Sequence, residues 1–236
     1  MPIIIRGEAE KHRDRFGRLL VVLSLLFLAG GLSPGWGVRL FVSVLYVAAV
    51  VIAARATGFP RGIPPKVIVP LLLFLSIGTL VFAFSDNRTF RRFGVICAAI
   101  VVAGLLEAVL DRILRHDDVQ VQTIAGALCA YLLFGLLFSS IYALFDSFET
   151  TPFFSQKMTN ADYGYFSMST LTSLGYGDIT IVDSFGRRLA MAEVITGQVF
   201  LATAVARLVS TARRKRADDD PVGSADEATD AVGDED

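Results

Sequence analysis

The sequence predicts an all-α integral membrane protein with six transmembrane helices and one shorter helix that enters the bilayer without crossing it. Three observations predict this. Apolar residues make up 53% of the 236 residues and charged residues only 19%, and the mean hydropathy is +0.57. The apolar residues gather into six runs of about 18–20 residues, the length of helix that crosses a bilayer core. Between the fifth and sixth runs lies a stretch, 146–188, with a short apolar segment of its own. This distribution excludes a soluble enzyme, a nucleic-acid-binding domain and a disordered chain. The net charge of −1 says nothing about partners; membrane lipid is the partner that the apolar runs imply.

Residues 1–18 form a charged N-terminal segment carrying Arg6, Lys11, Arg13, Arg15 and Arg18. The first run, Leu19–Ser33, is closed by Pro34-Gly35-Trp36-Gly37. Its shortness also fits a signal sequence cut near Ala29-Gly30-Gly31, but mixed charge precedes it and a second run follows at once, which favours a span. The second run covers about Val38–Ala54 and gives way to a basic, Pro/Gly-rich loop, Arg55–Lys66. The third covers Val67–Phe84, and the fourth, after the polar loop Ser85–Arg92, covers Phe93–Leu110. A mixed-charge connector, Asp111–Gln120, leads to the fifth run, Val121–Phe145; the sixth is Leu189–Val209, closed by Arg213-Arg214-Lys215-Arg216. The last twenty residues carry nine Asp or Glu and few apolar side chains, so an acidic disordered tail is expected. The expected division is an N-terminal segment at 1–18, a four-helix membrane module at 19–118, a second membrane module at 119–212, and a basic stub with the tail at 213–236.

Lysine and arginine concentrate on the cytoplasmic side of membrane proteins. With six spans and a cytoplasmic N-terminus, 15 of the 22 basic residues fall inside and 7 outside. Both termini are therefore expected in the cytoplasm, with Arg88, Arg91 and Arg92 running against the bias. The expected location is the plasma membrane, and the excess of arginine over lysine in a compact chain fits a prokaryote. Cys97 and Cys129 lie in apolar runs and read as small buried residues. His12 and His116 pair with neither a nucleophile nor a set of metal ligands, so no cofactor, no small-molecule substrate and no nucleic acid is expected.

The chemistry sits at residues 159–178. Thr159 followed three residues later by Asp162 reads as a helix start. The helix it opens, about Ala161–Thr172, is too short to span a bilayer but tolerable within one if other protein shields it. Gly175-Tyr176-Gly177 follows. Alternating glycines admit a backbone with φ above zero, and such a strand turns successive carbonyl oxygens to one side. Rings of carbonyls replace the water shell of a bare cation.

The run Thr172-Ser173-Leu174-Gly175-Tyr176-Gly177-Asp178 resembles the selectivity-filter signature of tetrameric potassium channels. The likeness covers about Val121–Arg216. Tyr165-Phe166 stands where the family has an aromatic pair on the pore helix, Gly186-Arg187 where the inner helix starts, and Gly197 where many members have a hinge glycine. The resemblance implies that 119–212 is a pore domain of outer helix, re-entrant pore helix, filter and inner helix. It implies a homotetramer around a central pore and passive permeation of K+. The carbonyls of Ser173, Leu174, Gly175 and Tyr176 would form the ion-binding rings, and the permeant K+ would be the bound ion. The Ser173 hydroxyl would supply the innermost oxygens. Tyr176 would point away from the pore, and Asp178 would anchor the filter from just outside it.

This chain departs from the family pattern in ways that matter. Ser173 and Leu174 stand where Thr and Val are usual, which removes χ1 stiffness beside the filter. Ser169 stands where many members have a glutamate, so an Asp178–Glu pair is not available. Phe166 replaces a tryptophan and cannot donate to Tyr176, whereas Tyr165 can still reach Asp178. The usual proline after the aspartate is missing from Ile179-Thr180-Ile181-Val182. A potassium-selective filter that is looser or less durable when open is therefore expected. The outer stretch sets Asp146, Glu149, Asp162, Asp178 and Asp183 against Lys157, Arg187 and Arg188, or −2 per subunit, which concentrates cations at the mouth.

Voltage sensing needs arginines spaced along a membrane helix. The fourth run has none between Gly94 and Leu110; Arg91 and Arg92 precede it, Arg112 and Arg115 follow it, and its single charge, Glu107, lies near the inner end. The first four spans thus read as a structural or interaction module without voltage-sensor arginines. Twenty residues follow Arg216, so no large ligand-sensing domain is expected there, and Asp218-Asp219-Asp220 lacks the spacing of a calcium loop. Glu193 and Gln198 sit inside the sixth run and are gating candidates. Glu193 is expected either as a buried neutral side chain hydrogen-bonded between subunits or to the pore helix, or as a proton-sensitive latch near Gly197. Leu201 and Val205, with Val209, would line the inner cavity or a hydrophobic gate. The competing readings are a weakly selective monovalent cation channel, a potassium transporter, which would carry four filter-like repeats where this chain has one, and a non-conducting or modulatory membrane subunit.

Overall fold

A chain in hydrocarbon must satisfy its own backbone N–H and C=O groups, and a single segment does so by winding into a helix. The computed structural model describes residues 3–31, 35–57, 70–71, 74–78, 88–115, 121–148 and 152–219. The named elements are all helices: α1 Ile3–Gly30, α2 Trp36–Thr57, α3 Arg88–Arg115, α4 Val121–Phe148, α5 Asn160–Leu171 and α6 Ser184–Asp219. Among the described residues, four windows are long and apolar enough to cross a membrane: Trp36–Ala53, Arg92–Leu114, Ile124–Phe148 and Ser184–Ser210. The apolar part of α1 is shorter, Phe16–Gly30. Most of the third expected run, the loop from residue 58 onward, the connector 116–120 and the tail from residue 220 lie outside the described residues.

The charged N-terminal segment is part of α1, which begins at Ile3. No proline follows Pro2 until Pro34, and Glu8, Ala9, Glu10, Lys11 and Arg13 are good helix formers, so nothing in the sequence stops the helix before Gly30-Gly31. There the Gly31 N–H turns back to the Leu28 carbonyl at 3.2 Å. After Pro34-Gly35, the first turn of α2 closes with Arg39 N–H on the Gly35 carbonyl, also at 3.2 Å.

Packing follows stripes. α1 buries Phe16, Leu19, Leu23, Leu26 and Ala29, which recur every three or four residues on one face, and exposes Val21, Leu25 and Leu28. That face meets both α2 and α4. Leu26, Ala29 and Leu45 pack with Val22, Val42, Tyr46 and Leu136, and the buried Cys129 thiol lies 3.7 Å from the Phe16 carbonyl. α3 buries Val101, Val102, Leu105, Leu106, Ala108 and Val109 and packs against α4 and α2. Near its start the Arg92 guanidinium sits 4.8 Å over the Phe148 ring, a cation–π contact. By internal packing the chain divides into Met1–Gln198 and Val199–Asp236. The second part holds the distal turns of α6, in which Leu201, Val205 and Val209 are exposed and Thr203 Oγ1 donates to the Val199 carbonyl at 2.8 Å.

Candidate ion-conduction site

The site is built on the short helix α5. Its start is the expected one: Thr159 caps it, with Asp162 N–H on Thr159 Oγ1 at 3.4 Å and Thr159 N–H on Asp162 Oδ2 at 2.7 Å. This reciprocal pair satisfies two of the N–H groups that a helix leaves unbonded. Thr159→Ala should lower the stability of the purified protein by about 1 kcal/mol, read as a lower Tm. One face of α5 is held by aromatic packing. Tyr163 donates its hydroxyl to the Asp146 carboxylate of α4. Phe166 meets Tyr142 edge-to-face at 5.1 Å and Phe154 at 5.2 Å. Phe166 is therefore spent on the core and does not reach Tyr176. Phe153, Ile179 and Ile181 complete that buried cluster.

The last turn of α5 hands its carbonyls to the strand that follows. Ser169 C=O accepts from Leu174 N–H at 2.8 Å and Gly175 N–H at 3.1 Å, and Thr170 C=O accepts from Ser173 N–H at 2.9 Å. Thr172 bonds back to the Met168 carbonyl through its N–H at 3.0 Å and its hydroxyl at 2.7 Å. Tyr131 of α4 donates to the Leu171 carbonyl at 3.2 Å. Ser169 supports the strand through its backbone; its own hydroxyl turns to the Phe166 carbonyl at 2.9 Å.

Along residues 173–177 the backbone alternates in hand. Ser173 has φ 60°, Gly175 φ 51° and Gly177 φ 77°. The two glycines take the left-handed region without steric cost, whereas a serine there costs about 1–2 kcal/mol. Ser173 is held by Gln198, whose Nε2 donates to Ser173 Oγ at 2.9 Å. Residues 172–178 are all exposed in the single chain. The Tyr176 ring stacks on Tyr165 at 6.3 Å with the planes 4° apart. The Tyr165 phenol is pushed above its ordinary pKa, first by desolvation and then by the nearby Asp178 carboxylate.

Past Asp178 the chain lacks its proline and is fixed in another way. Phe154 and Ile181 form an antiparallel bridge. Ser155 N–H donates to the Thr180 carbonyl at 2.8 Å and Val182 N–H to the Phe153 carbonyl at 3.0 Å. Asp183 Oδ2 then accepts from Gly186 N–H at 2.7 Å, opening α6, and Arg187 Nε donates to the Ile181 carbonyl at 3.0 Å.

One face of α6 lies against α5. Glu193 is 0% exposed. Tyr142 of α4 donates to its Oε2 at 2.7 Å, and Ser167 Oγ of α5 lies 2.5 Å from its Oε1. Four residues on, a Cβ at Gly197 would stand 2.5 Å from the Leu171 carbonyl oxygen. Close backbone approach thus requires glycine at 197. Glu193 and Gly197 share a face by their spacing of four. Tyr142, Ser167 and Tyr131 were not legible as site residues, because an isolated hydroxyl in an apolar run carries no signal of its partner.

Residues 118–214 match the family model described as "Ion channel". Over 95 residues the chain is 36% identical to the voltage-gated potassium channel Kch of Escherichia coli (strain K12), a stretch that is 39% of this chain and 22% of that relative. No solved structure matches the chain. The strand of alternating hand thus falls within a segment that is similar both to an ion-channel family model and to part of a potassium channel.

Proposed function

We propose that the protein is a potassium-selective channel of the plasma membrane, a homotetramer in which K+ permeates passively between carbonyls of Ser173, Leu174, Gly175 and Tyr176. The observation that carries this reading is the positive φ at every second residue, 173, 175 and 177. Such alternation aims consecutive carbonyls to one side, as a dehydrated cation requires. One chain has one such strand, so four chains around an axis enclose the pore. The C-terminal end of each α5, carrying about half a negative charge, favours a cation below the strand. Ser173 adds its hydroxyl as the innermost ligand, and Tyr165 with Asp178 steadies the outer end.

The similar Escherichia coli protein is voltage-gated by name. In this chain α3 carries Arg88, Arg91 and Arg92 at one end and Arg112 and Arg115 at the other, with none between. A charge must cross the field to sense it, so we read opening as independent of an arginine-bearing sensor. Lipid vesicles containing the purified protein should release trapped K+ down its gradient and retain trapped Na+ under the same gradient. Equal release of both ions would favour the weakly selective reading, with Ser173 and Leu174 as the residues responsible.

A further inference from the structure

The Glu193 carboxyl touches no ion in the proposed pathway, yet it is fully buried and shared by three helices. Its neighbours allow its hydrogens to be counted. Tyr142 supplies one hydroxyl hydrogen to Oε2. Ser167 Oγ lies 2.5 Å from Oε1 and also 2.8 Å from the Gly135 carbonyl of α4. A serine hydroxyl owns one hydrogen, and a carbonyl has none to give. If Ser167 donates to Gly135, the short contact to Oε1 needs a hydrogen from Glu193. A protonated carboxyl satisfies every member: Glu193 donates to Ser167, Ser167 donates to Gly135, and Tyr142 donates to Glu193. An ionised carboxylate would take the serine hydrogen from the Gly135 carbonyl, which keeps its helical N–H, and the charge would be buried with two hydroxyl donors and no cation among its hydrogen-bond partners. Such a charge is costly.

The position of this clasp gives it a consequence. Ser167 lies two residues before Ser169, whose carbonyl holds the N–H groups of Leu174 and Gly175. We infer that Glu193 keeps a proton, donates it to Ser167, and by fixing the depth of α5 acts as a positioning residue for the strand at 173–177. The α4 helix takes part through Tyr142 and Gly135, so the three helices are tied at one level. The effect on permeation rests on the channel reading; the proton and the docking of α5 do not.

The test compares the wild type with Glu193→Gln, Glu193→Val and Tyr142→Phe in the full-length assembly. Gln can replace the acid, its amide donating to Ser167 and its oxygen accepting from Tyr142. Infrared difference spectra between wild type and E193Q should show a protonated-carboxyl C=O band in the wild type. Amide exchange across α5 should be as slow in E193Q as in wild type, and faster by about tenfold or more in E193V, because Ser167 then keeps only the Gly135 carbonyl and loses its tie to α6. The K+ over Na+ permeability ratio should stay within about twofold in E193Q and fall by about tenfold in E193V, with Y142F between them. If E193V fails to assemble, Ser167→Ala takes its place with the same expectation. A missing carboxyl band would overturn the proton. Unchanged α5 exchange in E193V, or equal damage from Gln and Val, would overturn the positioning role. A wild type that passes no ions would contradict the channel reading alone, and the band and the exchange rates would still decide the rest.

Discussion

Gly177→Ala is expected to cut K+ flux by at least about tenfold while the protein still purifies as the same assembly. Gly177 has φ 77°, and within its own chain nothing beyond its immediate neighbours lies within 4 Å of the point where an alanine methyl would stand, so the chain itself leaves the space. The obstacle is the backbone: an L-residue in the left-handed region costs about 1–2 kcal/mol. In the proposed tetramer that cost would fall on four strands around one axis, and relaxing it would turn the neighbouring peptide groups away from the proposed ring of carbonyls. The residue is exposed at the end of the strand, where the backbone can relax, so the loss of stability should not exceed that cost of about 1–2 kcal/mol per chain. The measurement is flux per assembled complex together with Tm. An unchanged flux would mean that the alternating hand of the strand is not what conducts.

Gly197→Ala is expected to lower both Tm and flux, by a different route. Its methyl would stand 2.5 Å from the Leu171 carbonyl oxygen and 2.9 Å from Leu171 Cδ1. The first of these is backbone and cannot swing aside. Overpacking of this kind costs about 1–3 kcal/mol per site, and relief requires α6 to move off the C-terminal end of α5, where Tyr131 and the start of the strand are also tied. Gly164→Ala on the same short helix is the matched control. A methyl there would meet Phe27 Cε2 at an ordinary 3.7 Å, and alanine favours the helix by about 1 kcal/mol over glycine. Gly164→Ala should therefore hold or raise Tm and leave flux intact.

Much of this architecture could be read from residues alone, and the reason differs from element to element. The cap of α5 was legible because Thr159 and Asp162 act on each other within one turn. The left-handed positions at Gly175 and Gly177 were legible because only glycine occupies that region freely. The third such position was not, because Ser173 takes it against its own preference. Replacement of the missing proline by a bridge from Phe154 to Ile181 was likewise hidden, since the two residues lie far apart in sequence and neither carries a pairing signal. Glu193 stood out as a carboxyl in an apolar run. Of the partners expected for it, α5 is the one seen, through Ser167, with Tyr142 of α4 as an addition that sequence spacing could not supply. The charged segment before residue 19 was expected apart from the first run, yet α1 takes it in, because charge changes solvation without breaking a helix.

The central claim is that the strand at 173–177 selects K+. The most direct test is the reversal potential of the purified protein in a planar bilayer with K+ on one side and Na+ on the other. The account predicts a reversal close to the K+ equilibrium potential, despite Ser173 and Leu174 in the strand. A reversal near zero with substantial current would contradict it.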